Sequence, residues 1–448
     1  MSPEPRRVRI GSGAGFSDDR IDPAVVLAEH GDLDYLVFEC LAERTIALAA
    51  LQREKDPRRG FDPWLDKRML ATLRPCVERG TRIITNMGAA NPAAAARVVA
   101  DVARRLGITG LRIAVVTGDD VLDVVRTSPE VVELLEPDVT LDDRIVAANA
   151  YLGAEGIVEA LGRGADVVLT GRVADPSLFV APLVHEFGWS PSDWDRMGVA
   201  VSVGHLLECA GQVTGGYFAD PGVTDVPGLA DLGFPLADVA ADGSFVVTKV
   251  DGTGGTVTPD TCAEQILYEV HDPRAYVSSD VVADFAGITF DQVAADVVAV
   301  SGARGRERPD RLKVSIGYLD GFVGEGQISY AGANAVARGR LALDVVRTRL
   351  SHLLPDMADG RFELIGVDSM GAAGDVGSDH PEVRARVAGR VATEEQAHLI
   401  GREVVSLWLN GPAGGGGATR HVREQVSVTS ALLPRSKAVP RVDVQVVP

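Results

Sequence analysis

The sequence predicts an α/β protein, with a parallel sheet in the first half and a two-layer α+β region in the second. Three observations lead there. Short Val, Ile and Leu runs alternate with helical patterns as far as Phe187, and strands buried on both faces of a parallel sheet read this way. Five such runs each end in polar residues, four of them with a nearby glycine. From Leu312 onward the order becomes strand, strand, helix, repeated. A chain of 448 residues exceeds what one hydrophobic core usually serves, so two domains are expected, 1–222 and 223–448.

The first domain is Rossmann-like in layout. Val8 to Ile10 is a strand closed by Gly11-Ser12-Gly13-Ala14-Gly15-Phe16-Ser17-Asp18-Asp19. Bare glycine amides there could approach a ligand, which makes Ser12, Gly13 and Gly15 candidate binding positions. The spacing is not G-x-G-x-x-G and no Gly-Lys-Ser/Thr follows, so no nucleotide motif is supported. Tyr35 to Phe38 is a second strand and runs into Glu39. Arg82 to Ile84 leads to Asn86, and Arg112 to Val116 leads to Asp119-Asp120. Asp166 to Leu169 leads to Gly171-Arg172-Val173-Ala174-Asp175. Helices are predicted from Ala93 to Leu106, from about Asn149 to Leu161, and from Ser177 to Phe187. Alternation of this kind gives right-handed crossovers, and ligands bind beyond the carboxyl ends of the strands. Ser12, Glu39, Asn86, Asp119 and Arg172 are therefore expected to converge on one crevice. Each is equally readable alone as a cap or turn residue.

The stretch Gly204 to Gly216 follows that series. It places His205, Glu208, Cys209, Gln212 and Thr214 before the glycine pair Gly215-Gly216, too polar for a core helix and too poor in Lys for a surface one. On a regular helix His205, Cys209 and Gln212 share a face. The alternative is a buried helix with a few satisfied polar groups.

In the second half, Phe245 to Val250 is a strand, Thr261 to Val270 a helix, and Tyr276 to Asp284 extended. Lys313 to Tyr318 and Gly326 to Tyr330 read as a hairpin, followed by a helix from Ala335 to Leu350. Phe362 to Asp368 and Val383 to Val387 are strands, and Glu394 to Leu409 is a helix, the pattern of split βαβ units. Gly411 to Gly417 is a glycine-rich loop, either flexible or ligand-hugging.

Composition excludes several classes. A net charge of −19 repels phosphate backbones, so nucleic acid is not an expected partner. Cys40, Cys76, Cys209 and Cys262 are widely spaced, which excludes a zinc ribbon or disulfide scaffold. The N-terminus lacks an apolar signal region and no run approaches a membrane span. A cytoplasmic protein with reduced thiols is expected.

Four motifs together resemble a known family: Gly11 to Asp19, Asp34 to Thr45, Gly171 to Asp175, and Gly204 to Gly216. The sequence is similar through nearly its whole length to the acyclic terpene utilisation family AtuA. The resemblance implies a setting in the breakdown of branched terpenoid acids as CoA thioesters. It also implies either an enzyme or an accessory protein of an acyl-CoA complex. Some family members carry a further ferredoxin-like domain after the part that matches here, so a small separate partner carrying it is an expectation, as is a homo-oligomer.

The chemistry expected is of the lyase or hydratase type, without a redox cofactor. It needs a base beside a carbonyl and donors for the developing oxyanion. His205 or Glu208 is the candidate base, Arg172 the carboxylate clamp, and Asn86 a donor, with Glu39 beside them. Cys209 is a candidate nucleophile. Asp119, Asp175, Gln212, Thr214 and Gly215 are candidate substrate contacts. A divalent metal held by His205, Glu208, Asp119 and Asp120 is a further possibility without a spacing motif behind it.

Overall fold

The computed structural model describes residues 6–136, 144–371 and 380–448. They divide into two compact units, one of 6–136, 145–317 and 428–448, the other of 144, 318–371 and 380–427.

The first unit begins β1 (Arg7–Ala14), α1 (Asp22–His30), β2 (Tyr35–Phe38), α2 (Glu43–Lys55), α3 (Leu65–Arg79), β3 (Arg82–Thr85), α4 (Pro92–Arg105), β4 (Arg112–Thr117). A short α5 (Leu122–Thr127), strands β5 (Glu133–Leu134) and β6 (Ile145–Ala150), and α6 (Glu155–Gly162) lead to β7 (Val167–Thr170). All four residues of β2 and all four of β7 are buried, which is why these runs carry no polar alternation. In α4, Asn91 caps the first turn by accepting from the Ala94 amide at 3.2 Å, Pro92 opens the helix, and Arg104 and Arg105 close it. That order suits the unpaired amides and the dipole at each end.

The two helices α7 (Ser177–Phe187) and α8 (Trp194–Leu207) follow, and then β8 (Pro235–Ala240) and β9 (Phe245–Lys249). Beyond α9 (Pro259–Leu267) come β10 (Tyr276–Val277), β11 (Val282–Asp284), β12 (Thr289–Ala294), β13 (Val297–Ser301) and β14 (Arg304–Arg306). Among the described residues, ten strands form one sheet in the order β12-β13-β9-β8-β1-β2-β3-β7-β4, ended by a last strand at Arg441–Val446. The five runs predicted as parallel are its adjacent centre. Tyr35 lies between Ile10 and Arg82, and Val167 between Ile83 and Ile113, all in parallel register. The fold is thus a mixed α/β arrangement around a large sheet, parallel in the middle and antiparallel at both sides.

The expected boundary after 222 does not coincide with the two units. β8 pairs antiparallel with β1 from Arg7 opposite Ala240 to Gly11 opposite Leu236. Leu236, Ala237 and Val239 are thereby buried with the first sheet. A local alternation shows that a strand exists without naming its neighbour, so the sequence could not reveal this.

The next strand, β15 (Arg311–Ala331), is one continuous element, not the expected hairpin. Asp320-Gly321 reads as a turn, yet Gly321 at φ +76° is accommodated within the strand. It lies where an added Cβ would stand 2.3 Å from the Val391 carbonyl oxygen. The second unit then runs α10 (Ala335–Leu353), β16 (Ala358–Ile365), β17 (Glu382–Val391), α11 (Glu394–Asn410) and β18 (Gly416–Pro434). Its strands order as β16-β17-β15-β18, a βαββαβ succession. Tyr330, Val346, Leu364, Val383, Ile400 and Val404 fill its core. The glycine-rich loop joins α11 to β18 and is tied by Arg338, which donates to the Ala413 carbonyl at 2.8 Å. The unit division falls within β15 after Gly317 and within β18 before Val428.

Two further expectations change. Asn149 and Tyr151 do not lie on a helix: Asn149 is in β6, and α6 begins only at Glu155. The polar stretch from Gly204 is not one helix either. α8 ends at Leu207, and after it a 3₁₀ turn spans Ala210–Gln212, with Ala210 at φ +44°. Gly15 packs against this turn so closely that an added Cβ would stand 2.6 Å from the Cys209 carbonyl carbon.

α8 is held by a backbone-to-backbone approach. An added Cβ at Gly198 would stand 2.3 Å from Arg304 backbone atoms in β14. We expect Gly198→Val to lower stability by about 1–3 kcal/mol through overpacking, read as a lower urea midpoint. An unchanged midpoint would show that α8 can move away freely.

Candidate active site

Beyond the carboxyl ends of β2 and β7 lies a cavity of about 370 Å³. Asp175, Glu43, Tyr151 and Lys313 face it, and Tyr276, Ser278 and Ser279 form another part of the wall. Ala174, Pro176, Val277, Pro309 and Leu432 supply apolar surface. Polar and apolar linings meet here, as expected of a pocket that orients a mostly apolar ligand by a few polar contacts.

Beneath the wall is Arg172, only 1% exposed. Its Nε donates to the Val173 carbonyl at 3.0 Å, its two terminal nitrogens donate to the Leu41 carbonyl and to the Asp175 carboxylate, and its plane lies 4.1 Å from the Tyr151 ring centre. Burial disfavours this cation, but Asp175, Tyr151, Glu39 and Glu43 together outweigh it and hold the charge firmly. The Tyr151 hydroxyl donates to Glu43 at 2.5 Å, and the Lys313 ammonium donates to the same carboxylate oxygen at 3.0 Å. Burial opposes ionisation of Glu43; the Tyr151 hydrogen bond, Lys313 and Arg172 prevail and hold its pKa at about 2. Asp175 goes the other way. Burial raises its pKa to about 7 against the attraction of Arg172, with Glu208 and Glu43 adding repulsion. Two neighbouring carboxyls thus have opposite habits, a pattern that marks acid–base sites.

The loops after β3 and β4 brace this floor. The Asn86 amide donates to Glu39 at 2.8 Å, and Glu39 also accepts from the Leu41 amide at 2.9 Å. Asp119 accepts from Asn149 and from the Arg172 amide, both at 2.9 Å. Burial raises the pKa of Asp119 to about 6 and holds Glu39 well above the carboxylate range.

Comparison with known proteins adds the family. The model of the acyclic terpene utilisation family protein AtuA matches residues 8–444. The chain belongs to this family. No curated protein matches it. Among solved structures, crystal structures of S. aureus homoserine dehydrogenase at pH 7.5 and pH 7.0 are 9% identical, with TM-scores of 0.13. They cover 90% and 91% of this chain and 83% of their own, and at such scores the likeness carries no argument.

In this AtuA-family chain the predicted residues fall into three groups. Glu39, Asn86, Asp119, Arg172 and Asp175 are brought together as one bonded network, but of these only Asp175 lines the cavity. Its side chain is 36% exposed. Arg172 has its guanidinium engaged by protein groups, so it positions Asp175 and is not available as a substrate clamp. Asn86 is likewise spent on Glu39 and on the Cys40 amide at 2.8 Å.

The second group surrounds the turn after α8. His205 Nδ1 lies 2.6 Å from Glu208 Oε1, both buried. Ser12, His205, Glu208 and Gln212 each leave a buried polar atom without a partner. Cys209 has its thiol pushed up by burial and then by Glu208, which disfavours the thiolate a nucleophile needs. Gly13 serves packing against the Phe38 ring, and the Gly15 amide donates to Asp19 at 2.9 Å. A carboxylate therefore occupies the position where an anion was one reading. Thr214 and Gly215 form the third group, away from the cavity. The Thr214 hydroxyl donates to the Gly233 carbonyl at 2.7 Å, and Gly215, at φ +101°, packs on Val226.

The metal expectation finds no matching cluster. Among the described residues no group of three or more His, Cys, Asp or Glu is arranged to hold an ion. Asp119 is spent on Asn149 and the Arg172 amide, and Asp120 pairs with Arg53 at 3.0 Å. Also among the described residues, no helix is long and apolar enough to cross a membrane.

Glu43, Tyr151, Tyr276 and Lys313 were missed as site residues. Glu43 lies inside a family motif, but the other three have no local mark. Lys313 looks like any exposed position of an alternating strand.

Two tests follow from the electrostatics. Replacing Arg172 with Leu leaves Asp175 and the Val173 and Leu41 carbonyls without the guanidinium, and we expect a loss of about 3–5 kcal/mol in urea unfolding; a loss under 1 kcal/mol would refute its bracing role. The second concerns pH. Asp175, Asp119 and Asp280, raised mainly by burial to about 7, 6 and 6, ionise near 3.8 when unfolded. The folded chain then holds more protons, so these groups make stability fall as pH rises from about 4 to about 7. Glu43 acts oppositely: its contribution is present above 4.5 and lost toward about 2. In thermal melts from pH 5 to 7.5, Asp175→Asn should show a smaller fall in Tm than the parent.

Proposed function

We infer that the chain takes part in acyclic terpene utilisation, as membership of the family implies. We propose that the chain is an enzyme for a branched or terpenoid carboxylic acid or its acyl thioester, working by proton transfer of the lyase or hydratase type. The observation that carries this reading is Asp175: a carboxyl at a cavity wall, bonded to Arg172, with burial pushing its pKa up to about 7. Such a group donates or accepts a proton in the physiological range. Glu43, held ionised, orients Tyr151 and Lys313, and the Lys313 ammonium offers a cation to a carboxylate or a thioester carbonyl oxygen. Leu432, Val277 and Pro176 suit the branched chain. Of the roles first assigned, general acid–base work moves to Asp175 and substrate orientation to Lys313.

The test is turnover of branched 2-enoyl and 3-hydroxyacyl thioesters, and of the free acids, by the purified chain. Asp175→Asn should lower kcat by about 10²–10⁴-fold, while Lys313→Met should chiefly raise KM. Undiminished turnover in Asp175→Asn would sink the reading.

A second reading, an accessory subunit of an acyl-CoA complex, is favoured by Trp408 and Leu409 at the end of α11, 62% and 94% exposed. A ferredoxin-like partner domain or a second copy of the chain would cover them. Inactivity of the isolated chain, restored by adding the partner, would favour it.

A further inference from the structure

The pair His205–Glu208 has no part in the cavity wall and yet is not satisfied by its surroundings. His205 is 2% exposed and Glu208 8%. The 2.6 Å contact suits an Nδ1–H of His205 donating to the Glu208 carboxyl oxygen, the tautomer that leaves Nε2 with a lone pair. That Nε2 is buried without a hydrogen-bond partner, as is Glu208 Oε2. The backbone here is fixed: Gln265 donates to the His205 carbonyl at 2.8 Å. The histidine ring packs in a three-ring cluster, with Phe285 stacked 5.6 Å away, Tyr276 tilted 4.8 Å away, and those two rings 5.1 Å from each other. Tyr276 also belongs to the cavity wall. One aromatic ring therefore touches both the cavity and the oriented histidine.

We infer that Tyr276 is a gate, and that when its ring turns aside His205 Nε2 becomes the second proton-transfer group of the cavity, oriented by Glu208. This deepens the acid–base reading given above and rests on it. In the hydration direction the water oxygen bonds to the carbon β to the carbonyl as the α,β double bond opens toward the α carbon, and the water proton passes to His205 Nε2. The α carbon takes the proton of the Asp175 carboxyl. The site is left with His205 protonated and Asp175 ionised, and exchange with solvent restores both. Elimination runs the same steps backward. Glu208 is a positioning residue: it fixes the tautomer that leaves Nε2 free and steadies the imidazolium that forms.

The gate is tested without any substrate. The full chain is treated with diethyl pyrocarbonate, and modification of His205 is followed by peptide mass spectrometry. Tyr276→Ala should label His205 about tenfold faster than the parent, while Tyr276→Phe keeps the parent rate. Amide exchange across α8 is measured on the same samples, so that faster labelling through unfolding is recognised; Tyr276→Leu replaces the Ala variant if α8 loses protection. Equal labelling in parent and gate variants with α8 protected overturns the gate. Chemistry is tested separately with the thioester turned over by the parent. Glu208→Gln and His205→Gln should lower kcat by about 10²-fold with KM within about twofold, and a change confined to KM overturns the catalytic role. If the parent turns over no acyl compound, the function proposed above fails, while the labelling result still decides the gate.

Discussion

A full positive charge buried beneath the cavity wall sets most of what surrounds it. Arg172 has no route to solvent, so every direction of its guanidinium must meet an acceptor or a π face inside the protein. Two backbone carbonyls, one carboxylate and one aromatic ring fulfil this. Because Leu41 follows β2 and Asp175 follows β7, the cation clamps two strand-end loops to one another. The acidic side chains nearby are then fixed in turn. Asp175 is held in place by the same group that fails to keep it fully ionised, since its own burial costs more than the pairing returns.

Close approaches decide which residues can stand at the hinges of this arrangement. An added Cβ at Gly171 would meet the Asp119 carboxylate oxygens at 2.5 Å, so the residue before Arg172 must be bare for Asp119 to accept from the Arg172 amide. Gly15 is bare because the turn at Cys209 crosses it. The Gly15 amide is taken by the Asp19 carboxylate. Both glycines let loops from distant parts of the chain touch, and at Gly15 that accounts for a glycine-rich turn otherwise able to approach a ligand.

Much of the central fold was legible in the sequence. The five parallel strands, α7, α10 and α11 follow from hydrophobic runs and periods that local sterics fix. Continuity failed where a local signal met a tertiary demand. Asp320-Gly321 has turn chemistry, yet the strand runs straight through it, and Phe322 to Ala331 pair with β17. The stretch from Gly204 has helical spacing, yet Gly15 packs on it and Ala210 takes a left-handed conformation. Convergence of Glu39, Asn86, Asp119 and Arg172 could be inferred because strand ends of a parallel sheet lie on one side. Which of them meet the cavity could not, because each group's exposure depends on what else has already claimed its hydrogen bonds.

The sequence by itself therefore determined the strand-end supply of polar groups, the family, and the residues with the chemistry to act as acids and bases. Those are properties of residue type and of period, carried by each segment alone. Tertiary structure decided that Arg172 faces inward, that Asp175 faces the cavity, and that Tyr276 packs against His205. It brought Glu43, Tyr151, Tyr276 and Lys313 together from positions far apart in the chain. Burial and pairing are what change a carboxyl's proton affinity, and both exist only after distant segments have packed.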